Sequence, residues 1–339
     1  MPLSASVRTI AALFCSTVLS ASGAVAQSPA IPLSDRIRLA ELFRISEPVR
    51  GKVWPAWRET QVPVLLVTDS AEFLMHHPHP SAEFVSLGFD SVLHTVVWTR
   101  PRVFSPKLLA TFPAVGGIPT VVVGNAEATG QSSAAWVVTL LHEEFHQFEY
   151  SQPDYYPGVE HLQLAHGDTS GMWMLNYPFP YDSAPVQGAM RSLGTALVRA
   201  LDADRGHEAA ALVEYRAART ALSRELSAEQ ERYLEFQLWQ EGTARAIEYD
   251  CARRAARMGK PSAEFRALPD YLPYDSVAAN IRSRVHNELQ HVDLAERRRV
   301  SFYALGAGTA WLAERVVPDW QRRFLAQPYR LDQLFASLR

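Results

Sequence analysis

Cysteine is nearly missing from this 339-residue chain, with only Cys15 and Cys251. Lysine is as scarce: Lys52, Lys107 and Lys260 are the only copies among 33 basic residues. No apolar run reaches the ~20 residues that a helix needs to cross a bilayer, and no stretch is repetitive or of low complexity. Each shortage removes a class of answer. Cys15 falls in the leader described next, so Cys251 has no intramolecular partner, and a disulfide scaffold is excluded. The formal charge of −3 comes with no basic stripe, which argues against nucleic acid as a partner. The use of arginine in place of lysine reads as the mark of a GC-rich bacterial genome rather than of a binding surface.

What is present begins with the leader. Residues 1–26 hold one basic residue, Arg8, then a weakly apolar stretch over 10–19, then Ala24-Val25-Ala26 ahead of Gln27. This is the pattern of a secretory signal peptide cleaved after Ala26, and it predicts a periplasmic or secreted protein with no membrane span after cleavage. Helical spacing follows over 34–43. Short β-rich runs then occupy 62–67, 84–87, 92–99 and 118–123, punctuated by proline and glycine. From Ser132 onward, 3.6-residue patterns dominate, over 188–201, 208–226, 228–258, 275–291 and 295–317. The expectation is an α+β fold: a small, mostly antiparallel sheet within an N-terminal subdomain (27–130), then a largely helical catalytic region (131–339).

The chemistry is concentrated in His142-Glu143-Glu144-Phe145-His146, an HExxH pattern. It lies in an apolar periodic segment that starts near Ser132, a candidate N-cap, and runs to Pro153. Residues four apart on a helix differ by only about 40° in direction, so both imidazoles project from one face and can share a metal ion. Glu143 then stands where a carboxylate can take a proton from an attacking water and return it to a leaving group. The spacing predicts zinc-assisted hydrolysis.

A catalytic zinc usually takes three protein ligands, so one more donor is needed. Glu149 lies one turn beyond His146, too far along the axis, and reads as solvated or as a partner of a ligand. Glu160 and His166 follow the helix within the short spacing that some zinc sites use. The remaining candidate is Glu241, in Glu241-Gly242-Thr243-Ala244-Arg245-Ala246-Ile247-Glu248. Small residues at 242 and 244 would let this helix approach the HExxH helix closely. Glu248, seven residues on, shares the face of Glu241 and could fix the tautomer of a ligand imidazole.

HExxH followed by EGxAxxxE resembles the gluzincin superfamily of zinc metallopeptidases, distantly its aminopeptidase-N-like members. The resemblance implies a zincin-like fold, zinc held by His142, His146 and Glu241, and Glu143 as the base. It also suggests Tyr303, in Ser301-Phe302-Tyr303-Ala304-Leu305-Gly306, as the donor that steadies an oxyanion; Tyr177, Tyr181 and His166 are alternatives. In that architecture an edge strand runs along the cleft and pairs with substrate, and Ile118–Gly124 is the candidate here. Ninety-four residues, 147 to 240, separate the motifs, which implies an inserted helical hairpin. The family's G-A-M-E-N exopeptidase motif is absent; Gly124-Asn125-Ala126-Glu127 stands in its place.

The expected function is zinc-dependent hydrolysis of peptide bonds in a peptide or protein. Two other readings use the same groups: a zincin-like protein that binds metal or a partner without turnover, and a zinc amidase acting on another amide such as cell-wall peptide. Other notable residues are assigned plainer roles. His76, His77 and His79 sit in a Pro-broken, solvated loop. His286 and His291 are spaced five apart and face different sides of a helix. Arg297-Arg298-Arg299 begins a solvated helix, and Trp54 and Trp57 are core.

Overall fold

The computed structural model describes residues 29–336; the segment 1–26, read above as a signal peptide, lies outside them. Six strands form one mixed sheet: β1 (Val64–Val67), β2 (Ala71–Met75), β3 (Val85–Asp90), β4 (Thr95–Pro101), β5 (Leu109–Val115) and β6 (Ile118–Gly124). Their order is β3-β4-β2-β1-β6-β5, with β1 and β6 parallel and every other neighbour antiparallel. β1 is four apolar residues, all buried, because both faces of the sheet centre are covered. Its alternation sends Val64 and Leu66 into the main helical core, and Leu65 and Val67 into a smaller cluster with Leu74, Phe84 and Val122.

Two strands escaped the sequence pattern, and each has a reason. β2 carries Glu72 at full burial, where Arg100 Nε donates to its carboxylate at 2.6 Å and Val103 N–H at 2.7 Å. A satisfied buried carboxylate is indistinguishable in sequence from a surface charge. β5 contains Pro113, which reads as a strand breaker, yet β5 is an edge and needs no second ladder there. This corrects the expected edge: β6 is interior, flanked by β1 and β5, and the edge strands are β5 and, on the far side of the sheet, β3.

Among the described residues, eight helices have ten residues or more: α1 (Leu33–Val53), α2 (Ser133–Tyr150), α3 (Ala184–Asp202), α4 (Glu208–Arg224), α5 (Ala228–Gln237), α6 (Thr243–Ala256), α7 (Tyr274–Gln290) and α8 (Ser301–Val316). The α3–α4 pair is a packed hairpin lying between the two motifs in sequence. Residues from Ile31 onward make one compact unit. Within it α2 packs on α1, α6, β5 and β6.

The start of α2 is held from a distance. Ser132 is the N-cap position, but its side chain makes no capping bond. Asp270 does that work, accepting from Ser133 N–H and from Ser133 Oγ, each at 2.7 Å. Buried Arg38 of α1 donates to Ser133 Oγ at 2.8 Å and pairs with Asp35 and Glu127. A carboxylate at this end also complements the helix dipole.

On the face of α2 turned towards α1, Glu144 is fully buried. Ser46 Oγ donates to it at 2.6 Å, and Arg50 Nε lies 3.4 Å away. Burial raises its pKa from 4.5 to about 7, against the opposing pull of Arg50 and Ser46. The native state therefore holds this proton more tightly than the unfolded chain does. That contribution to stability is complete below 4.5 and is lost as pH rises through about 7. Wild type should lose up to about 3 kcal/mol more stability than Glu144→Gln between about pH 5 and about pH 8. Urea unfolding of both proteins across that range measures the difference; parallel curves would dismiss Glu144 as the responsible group.

Candidate metal centre

The helical repeat of α2 turns His142 and His146 to one side, and their Nε2 atoms stand 3.1 Å apart. Both residues are buried. Glu241 Oε2 completes a triangle, 3.8 Å from His142 Nε2 and 3.7 Å from His146 Nε2. The three ligand atoms lie within 4.8 Å of one another, and the group could hold a metal ion. Two nitrogen donors about 2.1 Å from a tetrahedral zinc would be about 3.4 Å apart, so the spacing fits.

The far side of each imidazole explains why the near side is available. Glu149 Oε2 sits 2.7 Å from His146 Nδ1, and Glu248 Oε1 sits 2.9 Å from His142 Nδ1, although at an angle that leaves Nδ1 without a well-aligned hydrogen bond. A carboxylate at Nδ1 keeps the proton there and turns the Nε2 lone pair inward. Two such lone pairs and a carboxylate oxygen then face one small buried volume, an arrangement that repels itself unless a cation or a proton lies between. With a proton between, burial tends to raise the Glu241 pKa, but the hydrogen bonds donated by the two imidazoles outweigh it and hold the carboxyl well below its ordinary range. Glu248, despite burial, is held down to about 2 by Arg245 and His142.

No family model, curated protein or solved structure matches this chain.

The centre is therefore read from its own geometry. Glu241 belongs to a π-helical turn, Leu238–Gly242, wedged between α5 and α6. The periodicity suggested one continuous helix there. Such single-turn π segments insert one extra residue and frequently carry functional side chains. The turn is tight against α8: a Cβ on Gly242 would lie 2.3 Å from Gly306 Cα, and a Cβ on Gly306 would meet both Gly242 Cα and Leu238 O at 2.5 Å. This corrects the role read for Gly242. Its bare backbone admits α8, not the HExxH helix.

That contact brings Tyr303, three residues before Gly306, beside the centre. Its hydroxyl lies against Glu241 and accepts a hydrogen bond from Arg299 Nη1 at 3.0 Å. The same Arg299 nitrogen is 3.4 Å from Glu241 Oε1. Arg299 was read as part of a solvated cluster. Instead it stands four residues before Tyr303, one helical turn back, and faces the site. Arg297 and Arg298 pair elsewhere, with Glu288 and Asp182. Burial, then the adjacent Glu241, pushes the Tyr303 pKa well above its ordinary value, so its hydroxyl stays protonated.

Glu143 faces the same space. Thr111 Oγ1 of β5 is 2.9 Å from both its Oε2 and its backbone oxygen, tying the edge strand to the helix. All of these groups border one cleft of about 1320 Å³, formed by β5, α2, α6, α7, α8 and the segment 155–175.

The other candidates fall outside the cluster. His166 is exposed and pairs with Glu229, as does the Tyr177 hydroxyl. Tyr181 stacks on Phe302 beneath Arg298. Glu160 borders the cleft without joining the three ligands. His77 is buried, not solvated, and its Nε2 lies 3.2 Å from Val115 O at the β5–β6 turn. His286 and His291 bond separately, to Asp202 and Asn287. Trp54 and Trp57 pack on Phe145 in the core.

Sequence reasoning missed Thr111, Arg299 and Tyr150, whose ring stacks parallel to His146. Arg299 had a usable signal, its four-residue spacing from Tyr303. Thr111 had none, since it sits on the strand that Pro113 disguised.

The glycine pair supplies a test. Gly306→Ala should cost about 1–3 kcal/mol and reduce bound metal, because α8 and the π-turn must separate. Gly188→Ala, on α3 with open space around its Cβ position, should be stabilising by up to about 1 kcal/mol. Thermal unfolding with metal analysis of both variants separates a specific contact from a general intolerance of alanine.

Proposed function

We propose that this chain is a zinc-dependent peptidase of gluzincin type, acting outside the cytoplasm on peptide or protein substrates. The observation that carries this reading is the convergence of His142, His146 and Glu241 beside Glu143 in an open cleft. Buried imidazole pairs with paired Nδ1 atoms serve many structural purposes, but a structural site has no use for a cleft-facing base next to it.

His142, His146 and Glu241 would hold the zinc. When bound, it supplies Lewis acidity, acidifying the attacking water and polarising the scissile carbonyl. The remaining steps belong to the protein. Glu143, oriented by Thr111, takes the proton released by the attacking water and delivers it to the departing amine nitrogen. Charge developing on the carbonyl oxygen needs donors already in place. Tyr303 Oη and the Arg299 guanidinium, both beside Glu241 and bordering the cleft, are those donors. Glu149 and Glu248 keep both imidazoles in the tautomer that ligation requires.

β5 contributes the substrate groove. It is the sheet edge on the side of the centre, and its residues 109–113 border the cleft together with Leu108 just before it. An extended peptide can add to it as a further strand, its backbone antiparallel to β5 and its scissile bond opposite Glu143.

Purified mature protein should bind close to one zinc per chain, and Glu241→Ala should lose it. Glu143→Ala should keep the metal and lose about 10²–10⁴ of peptide cleavage. Tyr303→Phe should keep the metal and lose about 10²–10³ in kcat. Elemental analysis and mass-spectrometric digestion of a mixed peptide library check these outcomes. Equal cleavage by wild type and Glu143→Ala would remove the assignment, and so would full metal binding by Glu241→Ala.

A further inference from the structure

Beyond the reacting centre, one wall of the cleft carries positive charge that the reaction does not use. Arg245 of α6 and Arg284 of α7 both border it, and they share one carboxylate. Glu248 Oε2 is 3.2 Å from Arg245 Nη1 and 3.4 Å from Arg284 Nη2, while its other oxygen faces His142. Arg245 is largely buried, and its Nε has no hydrogen-bond partner. The Arg284 side chain is 49% exposed and free to meet a ligand. Glu288, the next acid nearby, is 2.8 Å from Arg297 and engaged there. Burial, then repulsion from Arg245, holds the Arg284 pKa below its usual value. Two guanidinium groups with one carboxylate between them leave room for a second anion. Asn280, four residues before Arg284 and on the same face of α7, borders the cleft beside it.

The direction of β5 says which part of a peptide would reach this wall. Leu108, the residue just before β5, accepts a hydrogen bond from Gly124 N–H, and Gly124 O accepts from Trp136 Nε1 near the start of α2. The beginning of β5 therefore lies beside the beginning of α2. Further along, Tyr150 Oη at the end of α2 reaches Thr111 O at 3.4 Å. His142, the ligand nearer the start of α2, is the one linked through Glu248 to Arg284. A substrate strand antiparallel to β5 would run from the Tyr150 end towards the Arg284 end, so its C-terminal part would arrive at the arginines.

We propose that Arg284, supported by Arg245 and Asn280, is a subsite for the free C-terminal carboxylate of the substrate, which makes the protein a carboxypeptidase. This rests on the peptidase reading above. The bound carboxylate takes the place of the missing second anion, in charge-assisted contact with Arg284. Leu272, 38% exposed at the cleft edge just before α7, offers apolar cover for the side chain of the terminal residue.

The probe is a set of N-acetylated tripeptides. One is acetyl-Ala-Phe-Leu as the free acid, the second is its C-terminal amide, and the third is acetyl-Ala-Phe-Glu-amide, whose only carboxylate is in a side chain. Calorimetry with the zinc-loaded, full mature chain carrying Glu143→Gln reads binding without turnover. The free acid should bind about ten- to a hundredfold more tightly than either amide. Adding Arg284→Ala should erase that preference, and Arg284→Lys should restore part of it, with zinc content unchanged in both. A merely structural role for Arg284 would weaken all three peptides alike and leave the ratio intact. Equal binding of acid and amide, or no binding of any peptide, overturns the proposal; preference for the Glu-amide would reassign the subsite to an acidic side chain and overturn it too. In wild type, mass spectrometry of the digests should show release from the C-terminus only. Should the acid preference hold while no peptide is cleaved, the peptidase reading fails and the carboxylate subsite stands.

Discussion

Helix α2 has to be buried and ionisable at once, and much of the rest of the structure answers that constraint. Within eight residues it carries His142, Glu143, Glu144, His146 and Glu149, every one of them buried. An unpaired charge in such a place is far costlier than any single apolar contact is favourable. Each group is met by a different element: Glu144 by Ser46 and Arg50 of α1, Glu143 by Thr111 of β5, His142 by Glu248 of α6, and both imidazoles by Glu241 of the π-turn. Glu149 is met from within the helix, by His146. The fold places these elements around α2, and the polar network fixes their register. Moving any one of them leaves a buried group without its partner, which is a stronger positional constraint than apolar packing alone supplies.

The π-turn resolves a conflict of geometry. Glu241 must point at α2 while Gly242, its neighbour, must present bare backbone to Gly306. A regular helix rotates successive residues by about 100° and would impose its own relation between the two directions. One inserted residue alters the phase between α5 and α6 at this point. The same local irregularity therefore brings a carboxylate to the imidazoles and a second helix, with Tyr303 and Arg299, to that carboxylate. Strands contribute little to this half of the centre. Their contribution is β5, whose exposed edge is tolerable because α2 and the cleft wall stand beside it and Pro113 interrupts its donors.

What could be read from the sequence was whatever depended on spacing within one element. HExxH gave two imidazoles on one face because helical periodicity converts sequence offset directly into direction, whereas Glu241 came from the resemblance of the EGxAxxxE segment to gluzincins, and the π-turn that carries it was not foreseen. The inserted hairpin followed from the gap between the motifs, and α3–α4 lies there. What depended on contact between distant elements was hidden. Asp270 caps α2 from 137 residues away, so Ser132 drew the credit for a bond that it does not make. Gly242 was read as clearance for the wrong helix, since a glycine announces that something comes close but not what. β2 and β5 were missed because a buried ion pair and an edge proline contradict the local pattern that marks strands. Arg299 was lost within a run of three arginines whose members turn in different directions.

Glu248 shows how one carboxylate can serve several demands. Burial opposes its ionisation, yet it remains ionised to about pH 2 because Arg245, His142 and Arg284 surround it. One oxygen faces the ligand imidazole and the other faces the two guanidinium groups. The cations hold the acid charged, and the charged acid, 2.9 Å from His142 Nδ1, favours a proton there by charge rather than by an aligned hydrogen bond. An anion docking on Arg284 would compete with Glu248 for that guanidinium, drawing positive charge away from the carboxylate and leaving more of its charge to His142. A more strongly paired imidazole is a stronger donor through Nε2. Were a peptide's C-terminus to bind there as proposed, its arrival would be felt at His142 through a single shared side chain.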